Sequence, residues 1–101
     1  MIIDNKLMKY VIFKRRTENE IRKKCKMLDY TDEYTDDIID YLKEADYIND
    51  DLYVQKYIQN AIRLKNSSIF ELKMDLIRRG IDEDLFEKYI DDNLYEFEEE
   101  E

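Results

Sequence analysis

The side chains in this chain that could do chemistry are cations rather than nucleophiles. Lys14, Arg15, Arg16, Arg22, Lys23, Lys24 and Lys26 form one group, and Arg63, Lys65, Lys73, Arg78 and Arg79 form a second. Ammonium and guanidinium groups at this density attract an acidic protein surface or nucleic-acid phosphates. A plainer reading competes for Lys14 to Arg16, Lys26, Arg78 and Arg79. They fall where last helical turns are expected, and there a cation complements the helix dipole by about 0.3–1 kcal/mol. Recurrence in both halves of the chain favours binding for the set as a group, since local capping does not require it.

Other chemistries are poorly supplied. There is no histidine, so the commonest general base and metal ligand is missing. The single cysteine, Cys25, lies between Ile21 and Leu28 on an apolar stripe and reads as a small core residue. One cysteine cannot form an intrachain disulfide. The acidic neighbours Asp36–Asp37 and Asp91–Asp92 point about 100° apart on a helix, which suits solvation better than convergence on a divalent ion. No nucleophile, base and orienting group can be assembled, so the chain reads as a binding protein without cofactor or metal, not an enzyme.

The elements that must position the cations are helices. The 101 residues include no proline and only one glycine, Gly80, which excludes most sheet-rich folds. No run approaches a membrane span or a signal peptide, so a cytoplasmic protein is expected. Spacing predicts helix one over 3–16, with Ile3, Leu7, Tyr10 and Val11 inward and Met8 and Ile12 broadening the stripe. Thr17 and Glu20 form a capping box that opens helix two, with Ile21, Cys25 and Leu28 inward. Asp29 to Glu33 reads as a bend, with Thr35 capping helix three and Ile38, Tyr41, Leu42 and Ala45 on its inner face. Asn49, Asp50 and Asp51 make a corner whose side chains suit capping.

Helix four carries Val54, Tyr57, Ile58, Ala61 and Ile62, and Lys65 and Asn66 end it. Ser68 and Glu71 repeat the capping box 51 positions after the first. Leu72, Leu76 and Ile77 face inward on helix five, which closes at Gly80. Asp82 caps helix six, whose face is Leu85, Tyr89, Ile90 and Leu94, with Phe86 and Phe97 beside it as a possible self-association surface. Tyr30, Tyr34 and Tyr53 fit the stripes least well and are candidates for contact with a partner.

The halves align at an offset of 51, except that helix three matches helix six better at 47, implying a bend four residues longer in the first half. Charge follows the same two cycles. Residues 6–26 carry nine basic and two acidic side chains, and 29–51 carry one and ten. Residues 52–81 carry six and two, and 82–101 carry one and eleven. The expected architecture is all-α, with two tandem three-helix repeats, 1–48 and 49–94, stacked into a rod. An acidic tail, 95–101, is expected to be disordered, and its glutamates could cover the basic stripe in the free protein.

Several segments together resemble the RecX family of bacterial recombinase regulators. They are Arg15-Arg16, Thr17 with Glu20, Ile21 and Lys24, then Ile38-Ile39, Tyr41-Leu42-Lys43-Glu44 and Tyr47-Ile48-Asn49-Asp50-Asp51, then Tyr57-Ile58, and last Leu76 with Arg79-Gly80-Ile81. The resemblance covers about residues 6–90. It implies tandem three-helix repeats that bind RecA in the groove of its filament on DNA and alter filament assembly, ATP turnover and strand exchange, most simply as an inhibitor. On that reading Lys14, Arg15, Arg16, Arg22, Lys23, Lys26, Arg63, Lys65, Lys73, Arg78 and Arg79 face the partner. Two other readings stay open: an independent nucleic-acid-binding helical module, and an acidic decoy that imitates DNA.

Overall fold

A computed structural model describes residues 2–64 and 68–94, and these residues are all-α. Six helices follow one another: α1 Asn5–Phe13, α2 Glu18–Met27, α3 Asp32–Glu44, α4 Asp50–Leu64, α5 Ile69–Arg78 and α6 Glu83–Asp92. The chain divides into two compact units between Asp50 and Asp51. None of these helices is long and apolar enough to cross a membrane. The ending assigned to α4 at Lys65 and Asn66, Phe97, and the tail 95–101 lie outside the described residues.

Both capping boxes form. The Glu20 N–H donates to Thr17 Oγ1 at 3.1 Å while the Thr17 N–H donates to Glu20 Oε1 at 2.9 Å. Ser68 and Glu71 make the same exchange at 3.1 and 3.0 Å. Each box satisfies two backbone donors that the first helical turn would otherwise leave unpaired.

The middle helices also end alike. Leu28 and Arg79 are their C-caps, and the following residues, Asp29 (φ 61°) and Gly80 (φ 81°), are left-handed. The next amide then turns back, Tyr30 N–H to the Cys25 carbonyl and Ile81 N–H to the Leu76 carbonyl, each at 3.1 Å. The same exit recurs at α3, where Asp46 has φ 64° and the Tyr47 N–H donates to the Leu42 carbonyl at 2.8 Å. Gly80 takes this conformation without a Cβ penalty, and aspartate is among the few other residues that tolerate it.

The exit corrects the expected third-helix register. Thr31, not Thr35, caps α3, with its hydroxyl accepting from the Tyr34 N–H at 3.1 Å. Thr35 is buried inside the helix instead. Thr31 stands 51 positions before Asp82, the α6 cap, so there is no four-residue insertion. Helix α2 at Glu18–Met27 and α5 at Ile69–Arg78 keep the same spacing at both ends.

Each unit has its own core. Leu7, Val11, Ile21, Cys25, Ile38, Ile39, Leu42 and Ile48 form the first. Tyr53, Val54, Ile58, Ala61, Leu72, Leu76, Ile81, Phe86 and Ile90 form the second. Shifting the α3 frame replaces Tyr41 and Ala45 with Ile39 and Thr35 on the inner face, leaving Tyr41 40% exposed. In α6, Phe86 is fully buried rather than available for self-association, while Leu94 is exposed. Ile12 and Ile77 also lie outside, and Tyr53, expected to contact a partner, is core. Where unit two places Leu76 and Phe86, unit one has the smaller Cys25 and Thr35. Burial pushes the Cys25 thiol up, and Thr35 hydrogen-bonds to it.

Helix α1 stops at Phe13 rather than near Arg16, with Lys14 extended at φ −160°. The Arg16 Nε–H donates to the Tyr10 carbonyl at 3.0 Å, and its guanidinium lies 3.7 Å from the centre of the Tyr10 ring. That carbonyl would have received the Lys14 amide in a longer helix, so a side chain ends α1 by replacing the next backbone bond.

Asp29→Gly should raise stability by about 0.5–1 kcal/mol, because glycine removes the left-handed cost that aspartate bears. Gly80→Asp should lower it by a similar amount. Urea unfolding followed by far-ultraviolet circular dichroism checks both, and an Asp29→Gly protein less stable than its parent would contradict the turn geometry.

Candidate functional site

The cations fall into two classes once their partners are located. Arg22 is held by two carboxylates, Nε to Glu18 at 2.9 Å and Nη1 to Asp36 at 2.8 Å. The Lys43 ammonium takes the other Glu18 oxygen at 2.8 Å. In unit two the Lys73 ammonium lies 2.9 Å from Glu87. Arg22 and Asp36 stand 51 positions before Lys73 and Glu87, so one cross-helix pair ties α2 to α3 and α5 to α6. Both pairs are half-exposed, a setting in which an ion pair contributes at most about 1 kcal/mol.

Four further arginines are engaged with their own unit. Arg16 sits on Tyr10, as described, with the Lys24 ammonium 5.3 Å from the same ring. The Arg79 Nη1–H donates to the Tyr53 hydroxyl at 3.0 Å, with its guanidinium 5.0 Å from the Tyr57 ring. Arg78 pairs with Asp75 one turn earlier. Arg63 donates to Asn60 Oδ1 at 2.5 Å from the last turn of α4. Lys65 lies outside the described residues.

Lys14, Arg15, Lys23 and Lys26 remain exposed, with no ion pair among the described residues. Lys23 and Lys26 open with Arg22 onto a cleft of about 250 Å³ that also includes Asn19, Tyr30 and Asp32. Lys14 and Arg15 open onto a second, of about 230 Å³, lined by Ile12, Asp46 and Tyr47. All four are in unit one. At an offset of 51, Lys23, Lys26 and Arg15 meet Met74, Ile77 and Asn66, so only Lys14 meets a cation, Lys65. The recurrence inferred from block charges is therefore carried mainly by Arg22 and Lys73, whose partners are internal.

Asp50 and Asp51, expected to cap α4, lie in its first turn and accept from other groups instead. Asp50 Oδ1 accepts from the Glu18 N–H at 2.9 Å, completing the first turn of α2 from outside it. Asp51 accepts from the Tyr89 hydroxyl at 2.7 Å and from Gln55 Nε2 at 2.8 Å, joining α4 to α6. Of the contact tyrosines, Tyr30 and Tyr34 form an edge-on pair at 5.0 Å. Sequence spacing missed Tyr41 and Tyr47, both about two-fifths exposed. The signal was the 35, 38, 39, 42 frame of α3, which leaves Tyr41 outward. Among the described residues there is no group of three or more His, Cys, Asp or Glu able to hold a metal ion.

No family model matches the chain, and no solved structure does. Among curated proteins it is similar to "Regulatory protein RecX" of Finegoldia magna, 34% identical over 85 residues, which is 84% of this chain and 42% of that protein. It is 35% identical over 78 residues to the protein of the same description from Streptococcus agalactiae, covering 77% of this chain and 30% of that one. For the Lactococcus lactis protein the figures are 32% over 91 residues, 88% and 33%. The chain thus spans well under half the length of these relatives.

The Glu18 cluster makes stability depend on pH. Burial pushes the Glu18 carboxyl up, but hydrogen bonds from Lys43 and Arg22 outweigh it, and the net shift is below the ordinary 4.5. Asp50 shifts the other way, raised by burial against the opposing hydrogen bond from the Glu18 amide. A lowered carboxyl stabilises the fold above its ordinary value and loses that contribution as pH falls through its folded one. Glu18→Gln should cost less than about 1 kcal/mol at neutral pH, given its half-exposed partners. It should also flatten the loss of stability on acidification below pH 4.5. Urea midpoints measured against pH check this; parallel curves for the two proteins would show that Glu18 carries no such linkage.

Proposed function

Because the chain belongs to the RecX family, we propose that it is a regulatory protein acting on a RecA recombinase, binding the recombinase or its filament on DNA and restraining ATP turnover and strand exchange. The observation that carries this reading is 34% identity spread over 85 residues, 84% of this chain, to a protein described as regulatory. Identity of that extent reaches across both capping boxes and both cores rather than a single motif. The relatives are more than twice as long, so what this chain does alone is part of the proposal.

The partner surface is drawn from Lys14, Arg15, Arg16, Arg22, Lys23, Lys26, Arg63, Lys65, Lys73, Arg78 and Arg79. Lys14, Arg15, Lys23 and Lys26 are the members with most to offer. Their charges are not spent on described carboxylates, so an acidic surface meets them without first breaking an internal pair. Arg22 and Lys73 act indirectly, by holding α2 on α3 and α5 on α6. Regulation follows from unequal affinity: a protein that binds free recombinase more tightly than filament lowers the filament population, and the reverse preference traps it.

Co-sedimentation with RecA filaments on single-stranded DNA tests the proposal, with a control lacking RecA. Pelleting that depends on RecA, together with a falling filament ATPase rate on titration, is expected. Replacing Lys14, Arg15, Lys23 and Lys26 together with glutamine should weaken pelleting about tenfold or more, on the scale measured for lost interfacial charge pairs. Helical circular dichroism should be unchanged. No RecA-dependent pelleting at saturating protein would remove the assignment.

A further inference from the structure

The cleft at Lys14 and Arg15 does not end at Tyr47. The same tyrosine lines a further cleft of about 200 Å³ with Ile3, Met8 and Tyr41, while the first is lined by Val11 and Ile12 from the next turn of α1. One shallow face of unit one therefore runs from two aromatic rings to two cations. Tyr41 and Tyr47 are 40% and 41% exposed although no core position requires them outside. Lys14 and Arg15 lie on extended chain beyond α1, with no ion pair among the described residues. Asp46, held at its left-handed turn, is the carboxylate that lines these clefts, and Asp37 and Glu44 stand one turn either side of Tyr41 on α3.

We propose that this face binds single-stranded nucleic acid, with Tyr41 and Tyr47 as stacking platforms for bases and Lys14 and Arg15 on the neighbouring phosphates. Half-exposed rings beside unspent cations are the pairing that sequence-tolerant strand binding uses, since every base has a face to stack and every link a charge. A duplex offers the phosphates but keeps its base faces inside the helix, so the rings would gain nothing from it. An acidic peptide would satisfy the cations but gives the rings no flat partner. The proposal does not rest on the recombinase reading, and it concerns strand contact without any other protein.

The test is anisotropy of a fluorescein-labelled oligothymidylate of ~15 nucleotides, within the range of site sizes for such grooves, titrated with the whole chain at low salt and without RecA. Saturable binding is expected. Changing Tyr41→Ala and Tyr47→Ala together should weaken it about tenfold or more, whereas Tyr41→Phe with Tyr47→Phe should stay within about twofold, because stacking needs the ring and not the hydroxyl. Changing Lys14→Gln and Arg15→Gln should flatten the dependence of log affinity on log salt by about 1.4, two single-strand phosphate contacts. That slope would not respond to a merely structural role. No binding at low salt, equal affinity of the double-alanine protein, or equal affinity for a duplex would overturn the proposal. So would polyglutamate displacing the oligonucleotide as effectively as unlabelled oligothymidylate.

Discussion

The middle helix of each unit is fixed at both ends, and the remaining helices take their register from it. At the start, a hydroxyl and a glutamate exchange hydrogen bonds across the first turn, Thr17 with Glu20 and Ser68 with Glu71. Thr17 is itself fully buried, and Asp50 supplies a further acceptor to the Glu18 amide, so that turn has little freedom to fray. At the end, a left-handed residue reverses the chain and returns the next amide to the helix it has just left. The cap of the third helix, Thr31 or Asp82, follows one residue later. With so short a connection, the third helix cannot slide along the second without breaking one of these bonds.

That constraint explains what could be read without coordinates and what could not. The capping boxes were legible because their residue types are specific and their geometry is local. Gly80 was legible because glycine is the usual residue at a left-handed terminus. Asp29 was not, since aspartate in that conformation looks like any polar bend residue. Missing it moved the third-helix cap from Thr31 to Thr35 and rotated the inner face toward Tyr41 and Ala45. The apparent offset of 47 arose from the same error, as Ile38 and Leu85 are both apolar but occupy different places. The end of α1 was hidden for another reason: Arg16 ends it through a side chain reaching back six residues, which periodicity does not detect.

The alternating charge blocks have a structural component that no tally of residues could separate from a functional one. Arg22 with Asp36 and Lys73 with Glu87 bind the basic middle helix to the acidic third helix inside each unit. Arg22 with Glu18 and Asp36, and Lys43 with Glu18, form a network in which each charge limits the freedom of the next. Such pairs contribute little individually at half-exposed positions. Their common effect is to hold the basic middle helix against the acidic third in both units.

What the two units share and what they do not are therefore different kinds of residue. Caps, turns, buried positions and the cross-helix ion pair recur at a spacing of 51. The exposed set does not: in sequence, Lys23, Lys26, Tyr41 and Tyr47 align at that offset with Met74, Ile77, Asp92 and Glu98. Folding constraints act on both units equally, since each must bury its own core. A partner acts on whichever surface it touches. Equal skeletons with unequal surfaces follow from that difference: the second unit exposes Lys56 and Phe70 where the first has Asn5 and Asn19, so each surface is free to differ while the core and caps are not.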